Sequence, residues 1–210
     1  MRQFKSLARE QYNQHRGLTL VELLIAICIF SLIVIGFSSI DTFSQYHVIT
    51  SDRRAKLQND ASYVLGNMAK NIGRAIGDVN QAPVDTNSGI SGDAAIKVWI
   101  DSNPNGKRDN SDSKIAYRHR TTGSQSEKYQ FWYYSSCVGP NCNQAGTSSP
   151  EVISRKISNF SSSYSSGNDY IEIQLTTCWD PDGSPAACGS PDNPALSMKN
   201  RIYMPAVSTH

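Results

Sequence analysis

The sequence predicts an α+β protein in which one long N-terminal helix packs on an antiparallel β-sheet head. Three observations support this fold class. An apolar run covers residues 18–40, a helical apolar repeat follows within residues 41–77, and residues 78–210 carry short alternating segments between polar loops. Alternation with a period of two residues is typical of half-buried antiparallel strands. We therefore expect a transmembrane half and an amphipathic half in a single helix, followed by a β-rich head.

The composition limits what the chain can do. It has 210 residues, a net charge of +2 and 39% hydrophobic residues, many of them concentrated in the N-terminal apolar run. This length suits one ordinary domain with an appendage, and the balanced charge indicates no specific nucleic acid as a partner. The remainder is rich in Ser, Asn, Gly and Tyr, a composition that suits strands and long loops better than an α/β enzyme core.

The N-terminal segment divides into a basic leader and a membrane-spanning run. Residues 1–17 contain four basic residues and a single acid. Residues 18–40 are almost wholly apolar and match the roughly 20 residues that cross a bilayer as a helix. The basic leader predicts a cytoplasmic N-terminus, and no small-residue cleavage site of the secretory kind follows Ile40. We therefore expect the run to be retained as a membrane anchor, with the residues after it exported.

The second half of the predicted helix has one apolar face. Its apolar residues recur at the spacing of an amphipathic helix, at Ala61, Val64, Leu65, Met68, Ile72, Ala75 and Ile76. No proline interrupts the chain before residue 83. We therefore expect the helix to extend to about Gly77 and to pack this face on the head.

The head contains six segments with the residue types and alternation of strands. They cover residues 95–100, 114–120, 128–134, 151–157, 170–176 and 200–204. Val, Ile and Tyr alternate with polar residues in several of them, which indicates a sheet with one wet face. The aromatic run at residues 131–134 is interpreted as sheet core and edge rather than a ligand platform.

A polar cluster between two of these strands has the spacing of a cation loop. The sequence DSNPNGKRDNSD, residues 101–112, resembles EF-hand and dockerin loops. Gly106 stands at the turn position of such a loop, and the predicted calcium ligands are Asp101, Asn103, Asn105, the backbone carbonyl of Lys107, Asp109 and Asp112. The alternative is a hairpin tip with Asx turns, because the flanks are strands and Arg108 stands where an EF-hand has an apolar residue.

The cysteines indicate an oxidising compartment for the head. Cys28 lies in the apolar run and is interpreted as an ordinary small apolar residue. Two disulfides are predicted among Cys137, Cys142, Cys178 and Cys188. Three pairings are possible, and we favour the two local ones because each closes a turn rich in Gly and Pro. The alternative is a zinc site, although the tight C-x-x-C spacing of a zinc knuckle is missing.

The stretch RGLTLVELLIAI, residues 16–27, resembles the cleavage and methylation signature of type IV prepilins and type II secretion pseudopilins. The resemblance implies a pilin-like fold and a prepilin peptidase that cuts between Gly17 and Leu18 and methylates the amine of Leu18. It also implies an inner-membrane assembly platform, other pilin or pseudopilin subunits and membrane lipid as partners. The chain would be a single-pass protein of the bacterial inner membrane, with a periplasmic head, before it enters a pilus or pseudopilus filament.

Glu22 is the fifth residue after this cut and the only carboxylate within residues 18–40. A lone carboxylate in hydrocarbon is costly unless it is paired, and the cut frees an amine about one helical turn away. The resemblance implies that Glu22 meets the N-terminal amine of a neighbouring subunit during assembly. A buried pair of this kind specifies register better than it adds stability. The alternative is a Glu that reaches the headgroups at the membrane interface.

Three functional classes follow. The leader and the large polar head resemble minor subunits, of the W-type pilin or J-type pseudopilin, which implies a role in initiating or capping a fibre. The second class is a tip-located binding subunit for adhesion or DNA uptake. The only sequence feature that supports this class is the basic stretch 117–120. The third class is a membrane-anchored enzyme. We predict no catalytic residues, because no catalytic motif is present, and we interpret His119 as a solvated strand residue.

Overall fold

The structure is a computed structural model that describes residues 18–87, 89–124, 127–182 and 187–207. The chain divides into two units, residues 1–48 and 49–210. We call residues 18–48 the stem. From here on, the head means the described residues from 49 onward, so it includes the C-terminal part of the long helix as well as the β-rich region. One α-helix, α1 (Leu20–Ile72), supplies the stem and the first element of the head. The leader, residues 1–17, lies outside the described residues.

The stem is a helix whose side chains are all exposed. Every residue from 18 to 48 is exposed, including Leu24 at 57% and Phe30 at 66%. The mean hydropathy reaches 2.8 in its most apolar window, so length and composition make it a candidate transmembrane helix. Its hydroxyl groups donate to backbone carbonyls one turn earlier, from Ser31 to Ile27 at 2.8 Å and from Thr42 to Ser38 at 2.9 Å. These bonds satisfy polar groups that lipid cannot satisfy.

Within the head, α1 buries the predicted apolar face. Its buried residues are Leu57, Ala61, Val64, Leu65, Met68 and Ile72. The helix ends at Ile72, five residues before the predicted end, because Gly73 is a poor helix former and the chain joins a sheet instead. Ala75 bridges to Ile100, and the Ile76 N–H donates to the Trp99 carbonyl at 3.0 Å.

The first sheet has five antiparallel strands in the order β1-β2-β3-β4-β5. They are β1 (Val84–Asp85), β2 (Ala95–Ile100), β3 (Ser113–His119), β4 (Phe131–Tyr134) and β5 (Glu151–Ser154). The predictions for β2 and β3 are confirmed almost to the residue. The short strand β1 lies outside the six predicted strand segments.

The second sheet has three antiparallel strands in the order β6-β7-β8. They are β6 (Ile157–Ser163), β7 (Tyr170–Cys178) and β8 (Ala195–Tyr203). The sequence predicts one strand over 151–157 and one sheet, whereas the structure splits this segment between two sheets. The Ser154 hydroxyl accepts the Lys156 N–H at 3.1 Å, and the Lys156 carbonyl then accepts the Cys178 N–H at 2.8 Å. This local turn moves the chain from β5 to β6.

The main core of the head joins the helix face to both sheets. Met68 and Ile72 of α1, Tyr117 and Phe131 of the first sheet, and Ile171 of the second are each 0% exposed and belong to one cluster. Fully burying such a side chain contributes about 1.5–3 kcal/mol. The architecture is therefore α+β, with one long helix packed on antiparallel sheets, as the sequence predicts.

Candidate functional site

The stem begins with a capping box formed by Thr19 and Glu22. The Glu22 carboxylate accepts hydrogen bonds from the Thr19 N–H and the Thr19 hydroxyl, both at 2.9 Å. In return, the Thr19 hydroxyl accepts the Glu22 N–H at 3.3 Å. This reciprocal arrangement satisfies donors that every helix start leaves unpaired. The spacing T-x-x-E at residues 19–22 is the sequence signal that could have predicted this capping box.

The predicted processing residues lie directly before this capping box. Leu18 is exposed and precedes Thr19, and Gly17 lies outside the described residues. Among the residues that the structure describes, Glu22 has no cationic partner within 4.0 Å. The capping box therefore holds the carboxylate at the N-terminal end of the apolar helix. Pairing with an amine of another subunit stays a prediction.

The loop at residues 101–112 connects β2 to β3 and is built from Asx turns. Asp101 accepts the Asn103 N–H at 3.2 Å, and Asn103 accepts the Asn105 N–H at 3.2 Å. Gly106 has a φ of +69°, a left-handed conformation that favours glycine, and donates its N–H to Asp101 at 2.8 Å. Asn105 accepts the Lys107 N–H at 2.8 Å. These turns are those of the hairpin-tip alternative.

Asp109 is the main acceptor of this loop. It receives hydrogen bonds from the Ser111 hydroxyl at 2.5 Å, the Asn103 amide at 2.9 Å and the Asn105 amide at 2.7 Å. These bonds hold the pKa of Asp109 well below its usual range, with Ser111 as the largest cause. The Asp109 N–H donates to Asp112 at 2.7 Å, so the predicted calcium-binding residues belong to one hydrogen-bonded network, which Lys107 joins through its N–H.

No group of three or more His, Cys, Asp or Glu within the described ranges is arranged to hold a metal ion. The predicted calcium set relies also on amide and backbone oxygens, which calcium accepts readily. Calcium binding by this loop therefore stays a prediction. The structure shows how the loop folds through its own hydrogen bonds.

Both predicted disulfides form with the local pairing. Cys137 pairs with Cys142, and Cys178 pairs with Cys188. The first pair is buried in a small second core with Ile90, Ala95, Ala116 and Tyr134. Because all four sulfurs are engaged in disulfides, the zinc alternative does not form in this structure. Cys28 is a free, exposed cysteine of the stem.

The basic stretch 117–120 is not an exposed cationic patch. Arg118 is 8% exposed and pairs with Asp93 at 2.6 Å, while Arg120 pairs with Glu127 at 3.0 Å. The prediction of a solvated His119 is wrong, because His119 is 2% exposed and its Nε2 lies 2.7 Å from the Ile157 carbonyl. Strand β3 is covered on both faces, because Tyr117 lies in the main core and Ala116 lies in the small second core. Asp93 also accepts hydrogen bonds from the hydroxyls of Thr121 and Thr122.

Comparison with known proteins identifies the N-terminal motif. Residues 12–38 match the family model described as the prokaryotic N-terminal methylation motif. This match covers the end of the leader and most of the stem. Comparisons with curated proteins and with solved structures returned no match. The motif supports a type IV pilin-like protein, and the candidate transmembrane helix and the α+β architecture are consistent with a membrane-anchored pilin. In general, a motif of this type implies processing by a peptidase and pilin partners.

Proposed function

We propose that the chain is a minor pilin or pseudopilin that helps initiate or cap the assembly of a type IV pilus or type II secretion pseudopilus. In this proposal prepilin peptidase cuts between Gly17 and Leu18 and methylates the new N-terminus. The observation that supports the proposal most is the match of residues 12–38 to the methylation motif. In the structure, the capped carboxylate of Glu22 lies at the start of an apolar helix whose side chains are all exposed.

The stem needs an apolar partner at every stage. Its side chains are exposed on all sides, with Phe30 at 66% and Ile35 at 63%. Lipid covers such a surface in the membrane, because a helix that is hydrophobic all round is stable only when it is buried. Stems of other subunits replace the lipid in a filament. Association then depends on close packing rather than on the removal of water.

Glu22 has a different task before and after assembly. In the single chain, two donors of Thr19 satisfy one oxygen of the carboxylate, which lowers the cost of an acid near hydrocarbon. In the filament, the freed amine of a neighbouring subunit becomes its partner. A charge pair inside a bundle of apolar helices penalises wrong axial offsets, so Glu22 sets register while the apolar side chains supply the contact area.

Deletion of the gene for this chain in its own bacterium tests the proposed role as a minor subunit in initiation or capping. The proposal expects that fibres are lost or much reduced, that the wild-type chain restores them, and that quantitative mass spectrometry of purified fibres finds far fewer copies than of the major subunit. Unchanged fibre number and length in the deletion strain would contradict a role in initiation or capping. Fibres that persist but lose adhesion or DNA uptake would instead favour the tip-located binding subunit.

A further inference from the structure

A polar groove lies on the head where three separate segments meet. It has a volume of about 580 Å³ and is lined by residues of the 82–87 segment, by Trp99 and Arg108, and by the Tyr164–Ser166 turn between β6 and β7. Binding sites for small molecules commonly have volumes of roughly 300–1,000 Å³. The groove therefore has the size of a site for one or two sugar rings or a short peptide.

Arg108 is the most strongly positioned side chain of this groove. Its guanidinium lies over the Trp99 ring, 3.6 Å from the centroid, and its Nη1 donates to the Ala82 carbonyl. Stacking on an aromatic face and a backbone acceptor together hold the planar group in one orientation. Among the described residues no acceptor is bonded to its Nε or Nη2. These donors have the fork geometry that binds a carboxylate through two hydrogen bonds.

The rest of the lining suits a ligand with several hydroxyl groups. Asp85 contributes a carboxylate, one oxygen of which already accepts the Asn87 N–H at 3.0 Å, and the Asn87 side chain has an amide donor and acceptor. Ser165 and Ser166 add hydroxyls, and the half-buried Tyr164 adds an aromatic ring. Burial raises the pKa of Tyr164 above its ordinary value of 10, and its hydroxyl can donate a hydrogen bond at neutral pH.

The two charged side chains that line the groove, Asp85 and Arg108, carry opposite charges, and the carboxylates of Asp85, Asp78 and Asp112 all act electrostatically on Arg108. Asp85 lies 3.9 Å from the ammonium of Lys97, which is 4% exposed. This neighbour offsets the negative charge that Asp85 brings to the groove. An anionic group at Arg108 and neutral hydroxyls near Asp85 would therefore meet complementary partners.

We propose that this groove binds a saccharide that carries a carboxylate, with the acid group on Arg108 and the hydroxyls on the Asp85–Asn87 side. The inference does not depend on the role of the chain in a filament. A neutral sugar leaves the Arg108 fork unused, and an acidic peptide lacks the hydroxyls that the short polar side chains match. The sequence alone does not reveal the groove, because its three walls are distant in the chain.

Ligand-observed NMR on the full chain tests the proposal. The protein is kept in micelles of a zwitterionic detergent, because detergents with sugar headgroups would compete. The probes are sodium glucuronate, its neutral counterpart glucose, and tetraglutamate as an acidic peptide. We expect saturable binding of glucuronate at millimolar concentration, at least fivefold tighter than of glucose or tetraglutamate.

Three variants identify the site. Arg108→Gln should weaken glucuronate binding about tenfold or more, since it removes charged hydrogen bonds. Arg108→Lys keeps the charge without the fork and should weaken binding severalfold, which keeps the test meaningful if Arg108→Gln unfolds. Arg54→Gln changes an exposed arginine away from the groove and should leave binding unchanged. Equal binding of glucuronate and glucose, tighter binding of tetraglutamate, no binding of glucuronate, or full binding by both Arg108 variants would overturn the proposal.

Discussion

The stem and the head place the same residue types in opposite environments. In the stem, Leu24 and Phe30 are 57% and 66% exposed, whereas Met68 and Phe131 of the head are fully buried. The head therefore carries its own core, and two disulfides add to it. The stem has no core of its own, and under the proposed function lipid or other stems bury its apolar side chains. A single helix, α1, therefore has an exposed apolar surface in the stem and a buried apolar face in the head.

The polar groups of the two units differ in the same way. In the stem, Thr19, Glu22 and Ser31 form their hydrogen bonds within one helical turn. In the head, polar groups join distant segments, such as Arg118 with Asp93 and Ser154 with Asp60. Local satisfaction lets the stem enter a membrane as a single helix. Long-range satisfaction ties the head into one cooperative unit.

Removing the carboxylate of the stem should have the largest effect. Glu22→Ala should abolish incorporation into filaments, because the register-setting pair is lost, while the thermal unfolding of the head stays unchanged. Incorporation is measured by immunoblotting sheared fibres against whole cells. Asp41→Ala removes an exposed acid from the same helix and should still be incorporated. Normal incorporation of Glu22→Ala would show that the interface alternative is correct.

A matched pair of phenylalanines compares the two units directly. Phe131→Ala should destabilise the head by about 3–5 kcal/mol, since it leaves a cavity in a core where the Phe160 ring lies 4.8 Å away. Phe30→Ala in the stem should leave the unfolding of the head unchanged. Denaturant unfolding followed by near-ultraviolet circular dichroism measures both. A similar loss in both variants would mean that the two units do not unfold independently.

Loss of a disulfide should cost less than this cavity. Replacing Cys178 and Cys188 together by Ser opens a loop with a sequence separation of 10, and loops of this size contribute about 2–3 kcal/mol. Cys28→Ser removes the free thiol of the stem and serves as the control, with no change expected in the melting of the head. An unchanged melting temperature in the double variant would show that this disulfide adds nothing to the stability of the head.

Calcium should have a smaller effect, if the 101–112 loop binds it. About 1 mM calcium should stabilise the head by roughly 0.4–1.4 kcal/mol for dissociation constants of about 0.1–1 mM, as in extracellular modules. Asp101→Asn should remove this gain, whereas Asp182→Asn, an exposed acid outside the loop, should not. Calorimetry with calcium and with chelator measures the shift, and no shift would leave the loop as a hairpin tip.

The smallest expected effect is a gentle dependence on pH near neutrality. Burial lowers the pKa of His119 below its ordinary 6.5, and the Ile157 carbonyl and Asp93 oppose this shift. The unfolded chain then binds the proton more readily than the folded head. Stability should therefore fall as the pH drops below about 6.5. His119→Gln should weaken the dependence of the melting temperature on pH between pH 7.5 and 5.5. An unchanged dependence would mean that other groups cause the loss of stability at low pH.

Local patterns predict much of the fold. The apolar face of α1, the strands β2, β3 and β7 and the pairing of the cysteines all follow from spacing over a few residues. The end of α1 does not, because Ile76 leaves the helix to bond Trp99, a residue far along the chain. The split between β5 and β6 also depends on contacts with another strand. The periodicity of apolar residues reports only local structure, so it does not predict where hydrogen bonds to distant residues end a helix or a strand.

The candidate site is predictable to a similar extent. The motif around Gly17 and Glu22 is visible in the amino-acid sequence alone. The T-x-x-E pattern of the capping box is visible there as well. The burial of His119 is not, because a strand can expose or cover either face depending on what packs against it. The groove at Arg108 depends on three segments that meet only in the folded head.

The most direct test of the proposed function is the N-terminus of the mature protein. Mass spectrometry of the chain purified from its native membrane should find Leu18 as the first residue, carrying one methyl group on its amine. An intact N-terminus at Met1, or a cut beyond Ile40, would contradict the proposal that a processed stem brings Glu22 to the amine of a neighbouring subunit.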